Sequence, residues 1–247
     1  MSATHDPLEW THGPARFCTT QWTVVLGAGG DGPDHEGALE QFCRVYWYSI
    51  YAFIRRRGTA PEDARDLTQD FFAHLLEKGW LAEVERRDTR FSTLLLTILK
   101  RFLATAHRDA TTQKRGGGNP PLSLDAAQAE EWFGAEPTTD ETPEKTFARR
   151  WALAVLETAH AALRQRAEEA GKAGHFALLG SFLAREPQPG EYEKLAPQIG
   201  ASANAIGVAV HRLRQQYREA LREELGAGQL PAAQVEEELL HLADALR

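Results

Sequence analysis

Residues 190–225 read GEYEKLAPQIGASANAIGVAVHRLRQQYREALREEL, and how this stretch folds decides what kind of protein the chain is. Tyr192, Leu195, Ala196 and Ile199 lie three or four residues apart and make one apolar helical face. Gly200 suits the end of that helix, where a left-handed residue closes the last turn. Ser202 is then placed to cap a second helix with its hydroxyl. In the second helix Ile206, Ala209, Val210, Leu213 and Tyr217 share an inward face. Ala203, Asn204, Gly207, Val208, His211, Arg212, Gln215 and Arg218 are left pointing outward. Two short helices joined by a glycine-containing turn, the second rich in arginine, make a helix-turn-helix pattern. A plain helical hairpin with a solvated basic face gives the same pattern, and both readings stand at this point.

Upstream the same helical punctuation repeats. Thr142, Pro143 and Glu144 read as N-cap, first-turn proline and an acid matched to the helix dipole. Phe147, Trp151, Val155, Ala159 and Leu163 then sustain a long helix to Gly171, and a shorter one follows near Phe176. Residues 35–57 predict a helix through Leu39, Phe42, Cys43, Tyr46, Ile50, Phe53 and Ile54, with Gly58 at its end. In TAPEDARDLTQDFFAHLLEKG, residues 59–79, Ala64, Leu67, Phe71 and Leu75 form the inward stripe, and Phe72 and Leu76 widen it. Asp63, Asp66 and Asp70 fall together on another face. A third helix is expected from Phe91 through Leu94, Leu95, Ile98 and Phe102 to the basic stretch ending at Arg115.

Residues 116–145, from GGGNPPLSLD onward, have the composition of a flexible acidic linker. Trp132 and Phe133 stand inside it as a docking point. The tail, VEEELLHLADALR, carries a stripe of Val235, Leu239, Leu242 and Leu246. A helix of that length persists only if the stripe is buried. Packing on the neighbouring domain is the expected burial, with masking of the Arg-rich helix as the alternative.

One stretch points elsewhere. WTVVLGAGGDG, residues 22–32, has the G-x-G-x-x-G spacing of a dinucleotide loop at Gly27, Gly29 and Gly32. That fold needs paired strands, and no second Val/Ile-rich run follows. The glycines more simply end a short helix that begins near Thr20. No paired catalytic carboxylates, phosphate loop or His/Asp metal cluster emerges either. The chain is therefore expected not to be an enzyme and to use no cofactor or metal.

Composition sets the bounds. The 247 residues are 43% hydrophobic and 26% charged, an ordinary globular balance. No apolar run could span a bilayer and the start does not read as a signal peptide, so the cytoplasm is the expected compartment. Cys18 and Cys43 are the only cysteines, too few and too far apart for a disulfide framework. Cys43 reads as a buried thiol. The net charge of −7 hides an asymmetry that matters more than the sum. Residues 100–115 carry five Lys or Arg against one Asp, and residues 206–222 four Arg against one Glu. Residues 116–144 carry seven acids and no Lys or Arg.

Taken together, residues 20–225 resemble the extracytoplasmic-function (ECF) sigma factors of bacterial RNA polymerase. PEDARDLTQDFFAHLLEK is similar to the helix that docks on the polymerase clamp helices. DTRFSTLLLTILKRFLATAHRDATTQKR is similar to the segment that opens and reads the promoter −10 element. The helix-turn-helix resembles the domain that reads the −35 element. The resemblance implies an all-α chain of two small helical domains. A region 2-like domain at 34–115 and a region 4-like domain at 146–225 are joined by the acidic linker, with extensions at 1–33 and 226–247. Gly207 departs from the family, which often carries a basic residue there, and Pro197 interrupts the preceding helix.

The resemblance also implies three surfaces. Asp63, Asp66, Gln69 and Asp70 are the candidates for polymerase binding, since carboxylates accept charge-assisted bonds from a partner's arginines. Lys100, Arg101, His107, Arg108, Lys114 and Arg115 are the candidates for the −10 strand. Ser202, Asn204, Val208, His211, Arg212 and Gln215 are those for the −35 duplex, where Asn204 could pair with adenine and Arg212 with guanine or phosphate. The implied partners are core RNA polymerase, promoter DNA and an anti-sigma or other regulatory protein, with no membrane. The rival is a helix-turn-helix regulator that binds duplex DNA without polymerase, dimerising through the tail stripe.

Overall fold

A computed structural model describes residues 35–77, 91–109, 126–134, 141–226 and 231–247. Every regular element among them is helical. They are α1 (His35–Arg56), α2 (Pro61–Glu77), α3 (Phe91–Asp109), α4 (Ala126–Gly134), α5 (Pro143–Glu169), α6 (Ala173–Leu179), α7 (Glu191–Ile199), α8 (Ala203–Glu224) and α9 (Ala232–Ala245). A 3₁₀ turn at Gly180–Leu183 follows α6. The glycine-rich stretch at 22–32 and the short helix expected near Thr20 lie outside the described residues.

The chain divides into two compact units, and the division falls inside α5, after Val155. The first unit contains α1 to α4, the start of α5, and α9. Its centre is α1, whose Phe42, Tyr46, Ile50, Phe53 and Ile54 are buried as their spacing predicts. Trp47, Tyr51 and Ala52 are buried as well, so α1 is enclosed on more than one side. The reason is the added cover of α4 and α5: Phe53 meets Phe147 edge to face at 6.4 Å, and Arg150 lies over Tyr48 at 5.2 Å. Ala64, Phe71, Phe72 and Leu75 of α2 and Leu95, Ile98 and Leu99 of α3 complete the core. Gly58, at φ +87°, ends α1 in the conformation that excludes most side chains. Cys43 is buried, and burial pushes its thiol up to about 12.

Two expectations change here. Residues 126–134 of the predicted flexible linker form α4, which packs on α1 and α2. Acidic composition hid it, because α4 is held by a few anchor residues rather than an apolar stripe. The tail forms α9, with Val235 and Leu242 buried and Leu246 exposed. The His241 ring of α9 packs on Trp151 in a tilted arrangement at 5.2 Å and faces Ser92 Oγ at 3.4 Å. The tail therefore packs in this first unit, by plain burial, rather than in the unit that precedes it in sequence.

The second unit, Leu156–Glu224, contains the rest of α5 with α6, α7 and α8. Ala159, Leu163, Phe176, Leu179, Phe182, Ile206, Ala209, Val210 and Leu213 make its core. The Tyr217 hydroxyl donates to the Leu156 carbonyl at 3.1 Å, and Arg166 pairs with Glu223 at 2.7 Å. α7 continues through Pro197 to Ile199 instead of breaking there, at the loss of one backbone donor.

Candidate nucleic-acid interface

The turn between α7 and α8 fixes the direction of α8. Gly200 sits at φ +73°, and its N–H and that of Ala201 both donate to the Ala196 carbonyl, at 3.0 and 3.3 Å. Two residues later Ser202 Oγ accepts from the Ala205 N–H at 3.2 Å. A glycine stop followed at once by a capped start lets two helices meet across a very short turn. At the start of α7 the Tyr192 ring packs edge to face on Phe182 of the 3₁₀ turn at 5.4 Å.

The outward face of α8 is the predicted one except at Ala203 and Gly207, which are half-buried, Gly207 beside the Tyr192 ring of α7. Asn204, Val208, His211, Arg212, Gln215 and Arg218 are all exposed. Val208 is 45% exposed, a large apolar side chain left among polar neighbours. Gln215 Nε2 lies 3.1 Å from His211 Nε2, so the two side chains hold each other along one line of the helix. Ser202 is exposed too, but its hydroxyl is already committed to the cap. Two amides, an imidazole, a methyl-bearing side chain and two guanidinium groups on one helix face are the chemistry of base-edge and phosphate contact.

Arg214 has a different job. Its Nε donates to the Phe182 carbonyl at 3.0 Å and its Nη2 to the Arg185 carbonyl at 2.8 Å, and it pairs with Glu186 at 3.1 Å. Sequence reading left it unassigned, yet its spacing from Val210, Tyr217 and Leu221 places it on the inward side. Arg185 in turn donates to Glu191 at 2.8 Å, and that pairing holds the Glu191 carboxyl down at about 2. These contacts pin the 3₁₀ turn and the start of α7 beneath the exposed face.

The other predicted residues lie in the first unit. Asp63, Asp66 and Asp70 are exposed on α2 and Gln69 is half-buried beside them. Partial burial, with Asp66 nearby, raises the Asp70 carboxyl above its ordinary value. Like charges four residues apart weaken a helix, so this face is not arranged for α2's own stability. Asp66 also takes a 3.2 Å contact from Arg65. On α3, Arg101 is exposed, whereas Lys100 Nζ pairs with Glu144 at 2.7 Å. That ammonium lowers the Glu144 carboxyl. The side chains of His107 and Arg108, and Lys114 and Arg115 altogether, lie outside the described residues.

A cavity of about 570 Å³ in the first unit is lined by Ser92, Leu96, Phe147, Arg149, His241 and Leu246 among others, and by none of the predicted site residues. Among the described residues no three His, Cys, Asp or Glu side chains gather to hold a metal, and no helix is long and apolar enough to cross a membrane. No family model, curated protein or solved structure matches this chain.

Proposed function

We propose that this chain is a transcription initiation factor of the ECF sigma type, which binds core RNA polymerase, directs it to promoters and assists strand opening. The observation that carries the reading is the exposed face of α8, presented by a glycine-stopped, serine-capped turn and braced from behind by Arg214. A helix held this way can enter a major groove without rearranging its own support. The acidic row on α2, with two aspartates four residues apart, supplies a surface of opposite character for a basic protein partner.

In this reading the protein performs no covalent chemistry. Asn204 and Arg212 read the −35 duplex, and Arg101 with Lys100 neutralises the strand that opens at −10. Lys100 must exchange Glu144 for phosphate to do so, a modest step because both side chains are nearly half exposed. The rival, a duplex-binding regulator that dimerises through the tail, needs the apolar stripe of α9. Val235 and Leu242 are already buried within their own unit, which favours the polymerase reading. An anti-sigma or other regulatory protein would bind one of the same surfaces, and the work belongs in the cytoplasm.

The test is co-purification with core RNA polymerase, followed by transcription from promoters enriched by the complex. Stable association and promoter-dependent transcripts are expected. Duplex binding without any association with polymerase would transfer the protein to the regulator class.

A further inference from the structure

The sequence FIRRRG, residues 53–58, places three consecutive arginines at the end of α1, and none of the three surfaces above uses them. Helix α4 lies on this end. Arg55 Nε donates to Glu130 Oε1 at 2.6 Å and Nη2 to Oε2 at 3.1 Å, a two-pronged grip on one carboxylate. The Tyr51 hydroxyl donates to the same carboxylate. One helical turn further on, the Phe133 ring lies under two guanidinium groups, 4.7 Å from Arg55 and 5.5 Å from Arg56. Between them Trp132, 41% exposed, meets Tyr48 edge to face at 5.2 Å. Arg150 covers the Tyr48 ring, and Arg57 stands 5.8 Å from the Phe53 ring.

This surface offers what a nucleic-acid strand requires. A guanidinium donates paired hydrogen bonds to phosphate as readily as to carboxylate. Arginine planes and tyrosine rings stack on bases of any sequence. Helix α4 supplies the matching pieces in order: an anion at Glu130 and flat rings at Trp132 and Phe133. An anion followed by flat rings has the chemistry of a strand's phosphate and its neighbouring bases. We infer that the α1 face around Arg55, Arg56 and Tyr48 is a binding surface for single-stranded nucleic acid, occupied in the free chain by α4 as an internal mimic.

The cover is removable. A helix of nine residues does not persist undocked in water, so α4 folds only while it is held here. Its carboxylate anchor is one-third exposed, where competing ions and solvent weaken a pair. A strand that displaces Glu130 and Phe133 therefore melts α4. This inference goes beyond the proposed role and does not depend on polymerase binding.

The experiment titrates the full chain into labelled single-stranded oligo-dT and follows fluorescence anisotropy at low and physiological salt, without polymerase. Glu130→Gln with Phe133→Ala removes both anchors of α4. Affinity should rise at least about tenfold, the factor expected when the competent state is otherwise a tenth of the population. The gain should shrink with salt, and adding Arg56→Ala and Arg57→Ala should abolish it. Circular dichroism and melting check the fold of each variant. If the double change lowers the melting point, Glu130→Gln alone carries the comparison. Unchanged affinity on undocking overturns the inference, as does a gain that survives loss of Arg56 and Arg57. Equally tight binding of labelled poly-glutamate also overturns it, by assigning the surface to an acidic protein partner.

Discussion

Two arginines on α8, two residues apart, have opposite duties. Arg214 is spent inward on two carbonyls and Glu186, while Arg212 stands on the exposed face. Arg214→Ala leaves those carbonyls without their charged donor and should cost about 1–3 kcal/mol of stability in urea denaturation. Arg212→Ala should change stability by less than about 0.5 kcal/mol. It should instead weaken duplex binding and shallow the salt dependence by roughly one unit of slope. Equal stability losses in the two variants would refute the division. Glu224 supplies a pH test at the same scale. It is buried at the end of α8, and burial with the neighbouring Glu223 charge pushes its carboxyl up to about 8. Because the folded value lies above the unfolded one, the folded state holds the proton more tightly. Stability is then full below the ordinary carboxylate range and is lost as pH rises through about 8. The unfolding free energy from urea denaturation should fall between about pH 5 and about pH 9, by on the order of a few kcal/mol, and Glu224→Gln should flatten that slope.

At the scale of elements, the α7–α8 pair raises the question of Gly207. A glycine inside a helix forfeits stability through backbone entropy, yet Gly207 lies within the exposed-face helix, in its second turn. A methyl group placed there would meet the Tyr192 ring at 3.5 Å, ordinary van der Waals contact. Gly207→Ala should therefore stabilise the protein by about 0.5–1 kcal/mol, read as a higher melting temperature. A lower melting temperature would show that Tyr192 cannot tolerate even a methyl group. Side chains larger than alanine should reverse the sign, since the ring stands directly in their path.

For the molecule as a whole, the net charge of −7 says less than its distribution. Acid is gathered on α2 and arginine on α8, in separate units. Each surface can then be disabled without touching the other. Asp66→Lys with Asp70→Lys should preserve the fold, because both residues are exposed and one like-charge pair simply replaces another. Co-purification with core polymerase should drop sharply while duplex binding by α8 stays within a factor of about two, the change left by distant surface substitutions. Unchanged association with native circular dichroism would leave the acidic row as a solvated face.

Periodicity carried most of the helical architecture. Apolar stripes at three- and four-residue steps, as in Phe42 to Ile54 or Ile206 to Leu213, are buried, because one face of a helix must be hidden; the α9 stripe is buried at Val235 and Leu242 but leaves Leu246 exposed. The turn at Gly200 and Ser202 was equally legible, since a positive φ and an orphan N–H each call for one residue type. The exposed set on α8 follows from those two facts alone. What the sequence could not supply were pairings between distant residues. Arg55 with Glu130, Lys100 with Glu144 and His241 with Trp151 leave no local signal, because nothing within one helix requires them. They decided that an acidic stretch read as linker holds a docked helix, and that the tail packs with the first unit. Local spacing dictates which face a helix hides; only the assembled chain dictates against what.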